Sequence, residues 1–192
     1  MSSIKSLCYL NQKKLSSSSH CSFVVSVALL LQFLVSPATS TQYIGKLCQM
    51  PFIDNKPFCL QTLSAYPPAP SATGLLPLAS AVIRGIVLPQ AHKSASFAER
   101  AAKREPSLKT QFKTCQDAYV TIGKSLMSAA GELKDTSETA NYDVTTCTDQ
   151  TTQVINLIGR NQDMASKNLI EMTVQMNKLL RLGVAATEVL GG

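Results

Sequence analysis

The chain has 192 residues, 18 basic and 12 acidic side chains, a formal net charge of +6 and no tryptophan. Its charges are interspersed apart from a short AERAAKRE cluster, which gives little support to a nucleic-acid-binding protein. Its six cysteines form no CxxC pair, so neither a zinc site nor a thioredoxin-like redox centre is indicated.

Residues 1–40 have the composition of a secretory signal peptide. Three lysines and no acidic residue precede an apolar run at 23–35, which is shorter than the roughly twenty residues of a membrane span. Ala38 and Ser40 then occupy the small-residue positions of a cleavage site, and we predict cleavage between Ser40 and Thr41. An uncleaved membrane anchor is the alternative.

Cleavage would leave residues 41–192 as one domain with fifteen basic and twelve acidic residues, a net charge of +3. No second apolar run of spanning length is visible, so we expect this part to be soluble and to have no membrane partner. An even number of cysteines in an exported chain indicates disulfides, and four cysteines permit three pairings. The four are Cys48, Cys59, Cys115 and Cys147.

The first half of the domain predicts short helices interrupted by prolines. Residues 41–68 contain Pro51 and Pro57 and lead into YPPAP at 66–70, which indicates short helical pieces followed by a stiff linker. A helix is predicted from Leu75, and Pro89 is predicted to break or kink it. SASFAERAAKRE resumes helical composition, with Ser94 or Ser96 as a possible cap and Pro106 as the end.

The clearest pattern in the sequence predicts a helix over 107–134, with Ser107 as its N-cap. Apolar residues follow one another at spacings of four and three without a slip, which indicates one buried face. Lys109, Lys113, Asp117, Lys124 and Glu132 lie off that face. The buried face is predicted to contain Leu108, Phe112, Cys115, Tyr119, Ile122, Leu126, Ala129 and Leu133.

A last long helix is predicted from Asp143 or Thr145 to about Val189. Asn161 and Asn168 lie on or beside its apolar seam, where they are either buried or at the edge in contact with water. The seam includes Cys147, Val154, Ile158, Ala165, Leu169, Met172, Met176, Leu179 and Ala186. The fold class is therefore all-α, and short connections predict an up-down bundle of long helices.

The order and spacing of several segments resemble the plant invertase and pectin methylesterase inhibitor family. The matching pieces are CQMPFIDNKPFC at 48–59, LKTQFKTCQDAY at 108–119, CTD at 147–149 and, loosely, SKNLIEM at 166–172. The resemblance implies a helical hairpin on a four-helix bundle, with Cys48 paired to Cys59 and Cys115 paired to Cys147. It also implies a secreted inhibitor that binds a cell-wall or vacuolar carbohydrate-active enzyme one to one and covers its active-site cleft.

The chain departs from the family pattern before Cys147. TANYDVTTC stands where an SAAL-like motif is usual, and the segment between Cys115 and Cys147 is shorter by roughly two helical turns. LKDTSETANYD also lacks the Pro-Lys-Phe tripeptide that invertase-directed members often carry. These differences favour pectin methylesterase over acid invertase as the target, or alternatively a member of the family whose inhibitory surface is degraded.

The resemblance implies no cofactor and no catalysis by the chain itself. His92 is the only histidine after residue 40, and no nucleophile elbow accompanies it, so an enzyme is disfavoured. Contact with the target is predicted for polar residues off the seam, although an ordinary solvated face is the alternative. These residues are Thr110, Lys113, Gln116, Asp117 and Lys124.

An alternative function is a non-inhibitory carrier of a small ligand or lipid. Methionines at helical spacing either fill gaps in a core or line a cavity for an apolar ligand. In the carrier hypothesis that cavity would be lined by Met127, Met164, Met172 and Met176. An apolar pocket inside the bundle would favour this hypothesis, and a filled core would oppose it.

Overall fold

The computed structural model describes residues 38–192, and every regular element in that range is helical. The predicted signal peptide lies almost wholly outside the described residues, as do Cys8 and Cys21. The α-helices are α1 (Ala38–Cys48), α2 (Lys56–Ala65), α3 (Leu75–Val82), α4 (Leu88–Arg104), α5 (Lys109–Glu132), α6 (Ser137–Ile158) and α7 (Met164–Glu188). A π-helical turn, Ile83–Val87, joins α3 to α4, and a 3₁₀ turn, Pro106–Leu108, precedes α5.

The helices α1 and α2 form an N-terminal hairpin closed by the Cys48–Cys59 disulfide, whose Cα atoms are 5.7 Å apart. Asn55 caps α2, because its side-chain oxygen accepts a hydrogen bond from the Phe58 N–H at 2.9 Å. In the chain-entropy model a loop of this length stabilises the folded state by about 3 kcal/mol. The first of the predicted bridges is therefore present, within the predicted pair of short helices.

Pro89 does not break the helix that begins at Leu75. The N–H of Leu88 donates to the carbonyl of Ile83, five residues earlier, and this π-helical turn carries the backbone directly into α4. Pro89 then lies in the first turn of α4, where its missing N–H costs little. The predicted break is wrong, and Ser94 is a buried residue inside α4 rather than its cap.

Leu75–Arg104 is consequently one helix of 30 residues, long and apolar enough by length and composition to cross a membrane. The prediction of no second apolar run of spanning length is therefore wrong, because the prolines at 77 and 89 divide this run in the sequence but not in the structure. A helix that is buried in the core of a bundle can have the same length and apolar composition. Here Leu78, Val82 and Val87 are fully buried, and the helix packs against α5 and α7.

The predicted seam of α5 is confirmed. Phe112, Tyr119, Ile122 and Leu126 are fully buried, and Leu108 at the start is half-buried. The boundaries differ slightly from prediction, because Pro106–Leu108 forms a 3₁₀ turn and Leu108, not Ser107, occupies the N-cap position. The spacing of apolar residues thus identified the buried face correctly. The helix begins at Lys109 rather than at residue 107, a difference of two residues.

The last predicted helix is in fact two helices, α6 and α7, joined by a turn at 159–163. Gly159 caps the end of α6, and Asp163 caps α7 by accepting the Ser166 N–H at 2.8 Å. Asn161 is half-buried in this turn and Asn168 is exposed, so neither amide lies within the predicted seam of one long helix. The apolar seam is correct on both sides of the break.

The connected helix α3–α4, together with α5, α6 and α7, forms an up-down four-helix bundle, as predicted. At one end, Asn161 donates to Gln111 at 2.9 Å, which ties the α6–α7 turn to the start of α5. At the other end, Asn141 donates to Thr187 at 2.8 Å, joining the start of α6 to the end of α7. A buried hydrogen bond of 2.6 Å between Tyr119 and Thr173 crosses the core.

Cys115 and Cys147 are both buried and are not bonded to each other, contrary to the predicted pairing. The Cys147 Sγ lies 3.9 Å from the Ile122 carbonyl. Ile122 follows Cys115 by seven positions, which is about 10 Å along a helix axis. The two thiols therefore lie too far apart along the α5–α6 hairpin for a disulfide.

Candidate target-binding face

The candidate face lies on the solvent side of α5. Thr110, Lys113, Asp117 and Lys124 are all exposed and fall on one helical stripe, which we call the α5 outer face. Gln116, the fifth predicted residue, is half-buried at the edge of the stripe. The structure thus brings four of the five predicted residues together on one surface, along a helix of 24 residues that is about 36 Å long.

The charged side chains of the α5 outer face are free to meet a partner. Within residues 38–192 the ion pairs are Glu99–Lys103 and Asp54–Arg181, and neither involves this face. The hydroxyl of Thr121 donates to the Asp117 carbonyl at 3.0 Å, which is a bond to the backbone and leaves the carboxylate unengaged. Partner groups can therefore bind these charges without first breaking an internal ion pair.

Two exposed apolar side chains flank the α5 outer face. Val120 is 40% exposed and Met127 is 50% exposed. Each lies three residues from a charged member of the face, Val120 from Asp117 and Met127 from Lys124, so they are neighbours on the helix surface. An apolar patch ringed by polar groups is the usual composition of a protein interface. The apolar period does not predict either residue, because both lie off the seam.

A shallow depression of about 610 Å³ lies between α5 and α6, beside this face. Thr114 lines it from α5, and the opposite wall consists of Asp149, Thr152, Gln153, Asn156 and Leu157. The polar residues on α6 recur at spacings of three, one and three, so they form one stripe opposite the helix's buried face. That spacing is the sequence signal that would have identified this wall.

A smaller cleft of about 300 Å³ separates the N-terminal hairpin from α7. Its floor includes Ile53 and Phe58 from the hairpin region and Leu182 from α7. Asp54 pairs with Arg181 across it, and the Lys178 ammonium lies 5.7 Å from the centre of the Phe58 ring. These exposed contacts, each worth at most about 1 kcal/mol, help to fix the hairpin on the bundle.

The four methionines of the carrier hypothesis do not meet. Met127 is half exposed and Met164 is 70% exposed, whereas Met176 is buried and Met172 is half-buried. They therefore cannot line a shared interior cavity, and that expectation is wrong. Residues 38–192 also contain no group of three or more His, Cys, Asp or Glu side chains placed to hold a metal ion.

No curated protein matches the chain closely enough to count as a relative. A sequence model of the plant invertase/pectin methylesterase inhibitor family matches residues 42–182. That range begins in α1 and ends in α7, so it includes the disulfide-closed hairpin and nearly all of the bundle. The resemblance of the short segments around the cysteines is thereby confirmed over most of the chain: it belongs to the plant invertase/pectin methylesterase inhibitor family.

Proposed function

We propose that this protein is a secreted inhibitor that binds pectin methylesterase one to one and covers its active-site cleft without catalysing a reaction. The observation that carries the proposal is the family match across the hairpin and the bundle. The cell wall is the proposed site of action, and the vacuole is the alternative for an acid invertase as target. The predicted signal peptide at 1–40 supports export.

The choice of pectin methylesterase over acid invertase depends on the segment between α5 and α6. Residues 133–143 form the turn after α5 and the first turns of α6, and their sequence, LKDTSETANYD, lacks a Pro-Lys-Phe tripeptide. Invertase-directed members of the family often carry that tripeptide in this region. Its absence favours the esterase as target.

The α5 outer face supports binding because its side chains stand on a rigid helix. The bundle is held by a filled apolar core and by polar links at both ends. Ordering one flexible interface side chain costs about 0.5–1.5 kcal/mol, and a preformed backbone adds little to that cost. The exposed Val120 and Met127 supply apolar area along one side of the contact, and the lysines and Asp117 supply polar groups beside it.

The proposal is tested by titrating oxidised residues 41–192 against a plant pectin methylesterase and, in parallel, against an acid invertase. Each enzyme is held at a concentration well above the expected dissociation constant, at an acidic and at a neutral pH. We expect esterase activity to fall linearly to an end point at one inhibitor per enzyme, with invertase activity unchanged. Linear loss of invertase activity instead would reverse the target assignment.

A control separates inhibition from removal of substrate. The esterase is assayed with a short soluble methyl ester as well as with pectin, because a protein that binds only the polymer would protect the polymer alone. We expect the same end point with both substrates. Loss of activity with pectin only, or no loss with either enzyme, would contradict the proposed inhibitor.

A further inference from the structure

Basic side chains are concentrated at one end of the bundle. The end of α4, the start of α5 and the turn between α6 and α7 meet there, as the hydrogen bond between Asn161 and Gln111 demonstrates. Residues 99–113 and 159–167 carry seven basic and three acidic side chains, a net charge of +4, and we call this surface the basic end. All seven are exposed: Arg100, Lys103, Arg104, Lys109, Lys113, Arg160 and Lys167.

The acidic side chains of the basic end neutralise only part of this charge. Glu99 is paired with Lys103 at 2.6 Å, and Asp163 is engaged as the cap of α7. The opposite end differs, since residues 132–143 carry four acidic side chains and one basic side chain. The net charge of +3 after residue 40 therefore conceals a separation of charge along the bundle axis.

We propose that the basic end binds a linear polycarboxylate, namely de-esterified pectin. A flexible anionic chain can follow basic side chains that project from two helix ends and two connections, and the field of clustered charges attracts it over roughly a Debye length of 8 Å. An esterase that removes methyl groups from pectin produces such carboxylates. The choice of polymer therefore rests on the proposed function, whereas the existence of an anion-binding surface rests on the charges alone.

Nucleic acids and anionic membranes fit this surface less well. Single-stranded nucleic acids are bound by stacking on exposed aromatic rings. Phe112 is the aromatic residue within the two ranges of the basic end, and it is buried. The nearby Phe97 lies outside these ranges. Stable membrane binding needs a substantial apolar face, and at this end Met164 is the large apolar side chain that is exposed. A sugar acid polymer requires neither feature.

The test compares binding to immobilised polygalacturonate for three forms of residues 41–192. The first is the wild type, and the second combines Arg100→Gln, Arg104→Gln and Arg160→Gln, none of which lies on the α5 outer face. The third is a matched control with Lys46→Gln, Lys56→Gln and Lys134→Gln, three exposed residues outside the basic end. Fully methyl-esterified pectin and vesicles of phosphatidylserine and phosphatidylcholine serve as alternative ligands.

We expect the wild type to bind polygalacturonate and not to bind esterified pectin. It should be released from polygalacturonate as the salt concentration rises from 0.02 M to 0.5 M, because the Debye length then falls on the order of fivefold. The arginine variant should bind at least tenfold more weakly, and the control less than threefold. Equal losses in both variants, binding to esterified pectin, or tighter binding to vesicles than to polygalacturonate would overturn the proposal. Inhibition of the esterase on a short ester substrate should survive in the arginine variant, so failure of polymer binding remains distinguishable from failure of the proposed function.

Discussion

Burial controls the chemistry of the two cysteines outside the N-terminal hairpin. It raises the pKa of Cys115 to about 12. Burial is also the largest cause that raises the pKa of Cys147 to about 12, with Asp143 adding to it. Thiolate is the reactive form of cysteine, so at pH 8 both thiols are expected to react slowly in the folded protein.

We therefore predict that oxidised residues 41–192 contain one disulfide and two protected thiols. Alkylation at pH 8 should leave Cys115 and Cys147 unmodified in the native protein and label both after unfolding in guanidinium chloride. A non-reducing peptide map should contain the Cys48–Cys59 bridge. A Cys115–Cys147 bridge in that map would contradict the hairpin register described above.

Asp163 offers a second test, because it caps α7. Burial acts to raise its pKa, but the hydrogen bonds from Ser166 outweigh that effect and hold the pKa below the ordinary value of 3.8. A carboxylate whose pKa is lower when folded stabilises the fold above the unfolded-state pKa, and this contribution is lost as pH falls through the folded-state pKa. The stabilisation by Asp163 should thus be present at pH 6 and decline below pH 3.8.

Replacing Asp163 by Ala should lower the free energy of unfolding at pH 6 by about 1 kcal/mol, as is typical for a lost N-cap. Asp163→Asn retains a capping oxygen and serves as the matched control, with a loss of a few tenths of a kcal/mol expected at most. Urea unfolding at pH 6 and pH 2.5 measures both. An Ala variant as stable as the wild type at pH 6 would show that the cap contributes nothing, and an equal deficit at the two pH values would show that its contribution does not depend on the ionised carboxylate.

At the level of helices, the register of the α5–α6 hairpin decides which residues face each other. The Cys147 Sγ lies 3.9 Å from the Ile122 carbonyl, which points along α5 toward Ser125, ten residues beyond Cys115. The resemblance to the family implies a segment between the cysteines that is longer by roughly two helical turns. The predicted bridge belongs to that longer hairpin, whereas the register of this hairpin places Cys147 toward the turn end of α5.

This register predicts that Ser125→Cys, combined with Cys115→Ser, forms a disulfide with Cys147. A bridge closing a loop of that length should stabilise the folded state by about 3 kcal/mol if it is unstrained. Denaturant unfolding with and without reductant, together with a non-reducing peptide map, measures it. Val120→Cys in the same background is the control, because Val120 is on the solvent side of α5 and should remain a free thiol.

The helices themselves were largely predictable because apolar spacing reports burial directly. The seam of α5 is confirmed from Phe112 to Leu133. The spacing of apolar residues does not reveal the break at Gly159, because the seam continues on both sides of it; the sequence signals of the break are Gly159 and the helix-capping Asp163. Pro89 is the opposite case: the sequence predicts a break or a kink there, and the helix does not break because the preceding turn is π-helical. A π-helical turn is a feature of backbone hydrogen bonding, and the spacing of apolar residues does not reveal it.

For the whole molecule, the bundle carries two adjoining surfaces, the α5 outer face and the basic end. The α5 outer face and the depression beside it are proposed to meet the enzyme, and the basic end is proposed to meet the polymer. Lys113 belongs to both, which is why the polymer-binding variants leave it unchanged. Sequence alone identified four residues of the α5 outer face, since exposure follows from helical spacing. It did not identify the depression, which depends on how α5 and α6 pack.

The most direct test of the central claim is titration of pectin methylesterase with a charge-reversed α5 outer face. The variant combines Lys113→Glu, Asp117→Lys and Lys124→Glu, and its control combines Lys46→Glu, Lys56→Glu and Glu171→Lys, which change the same charges on other exposed surfaces. We predict that the inhibition constant rises at least tenfold for the face variant, about 1.4 kcal/mol, and changes less than twofold for the control. Equal inhibition by the wild type and the face variant would contradict the account.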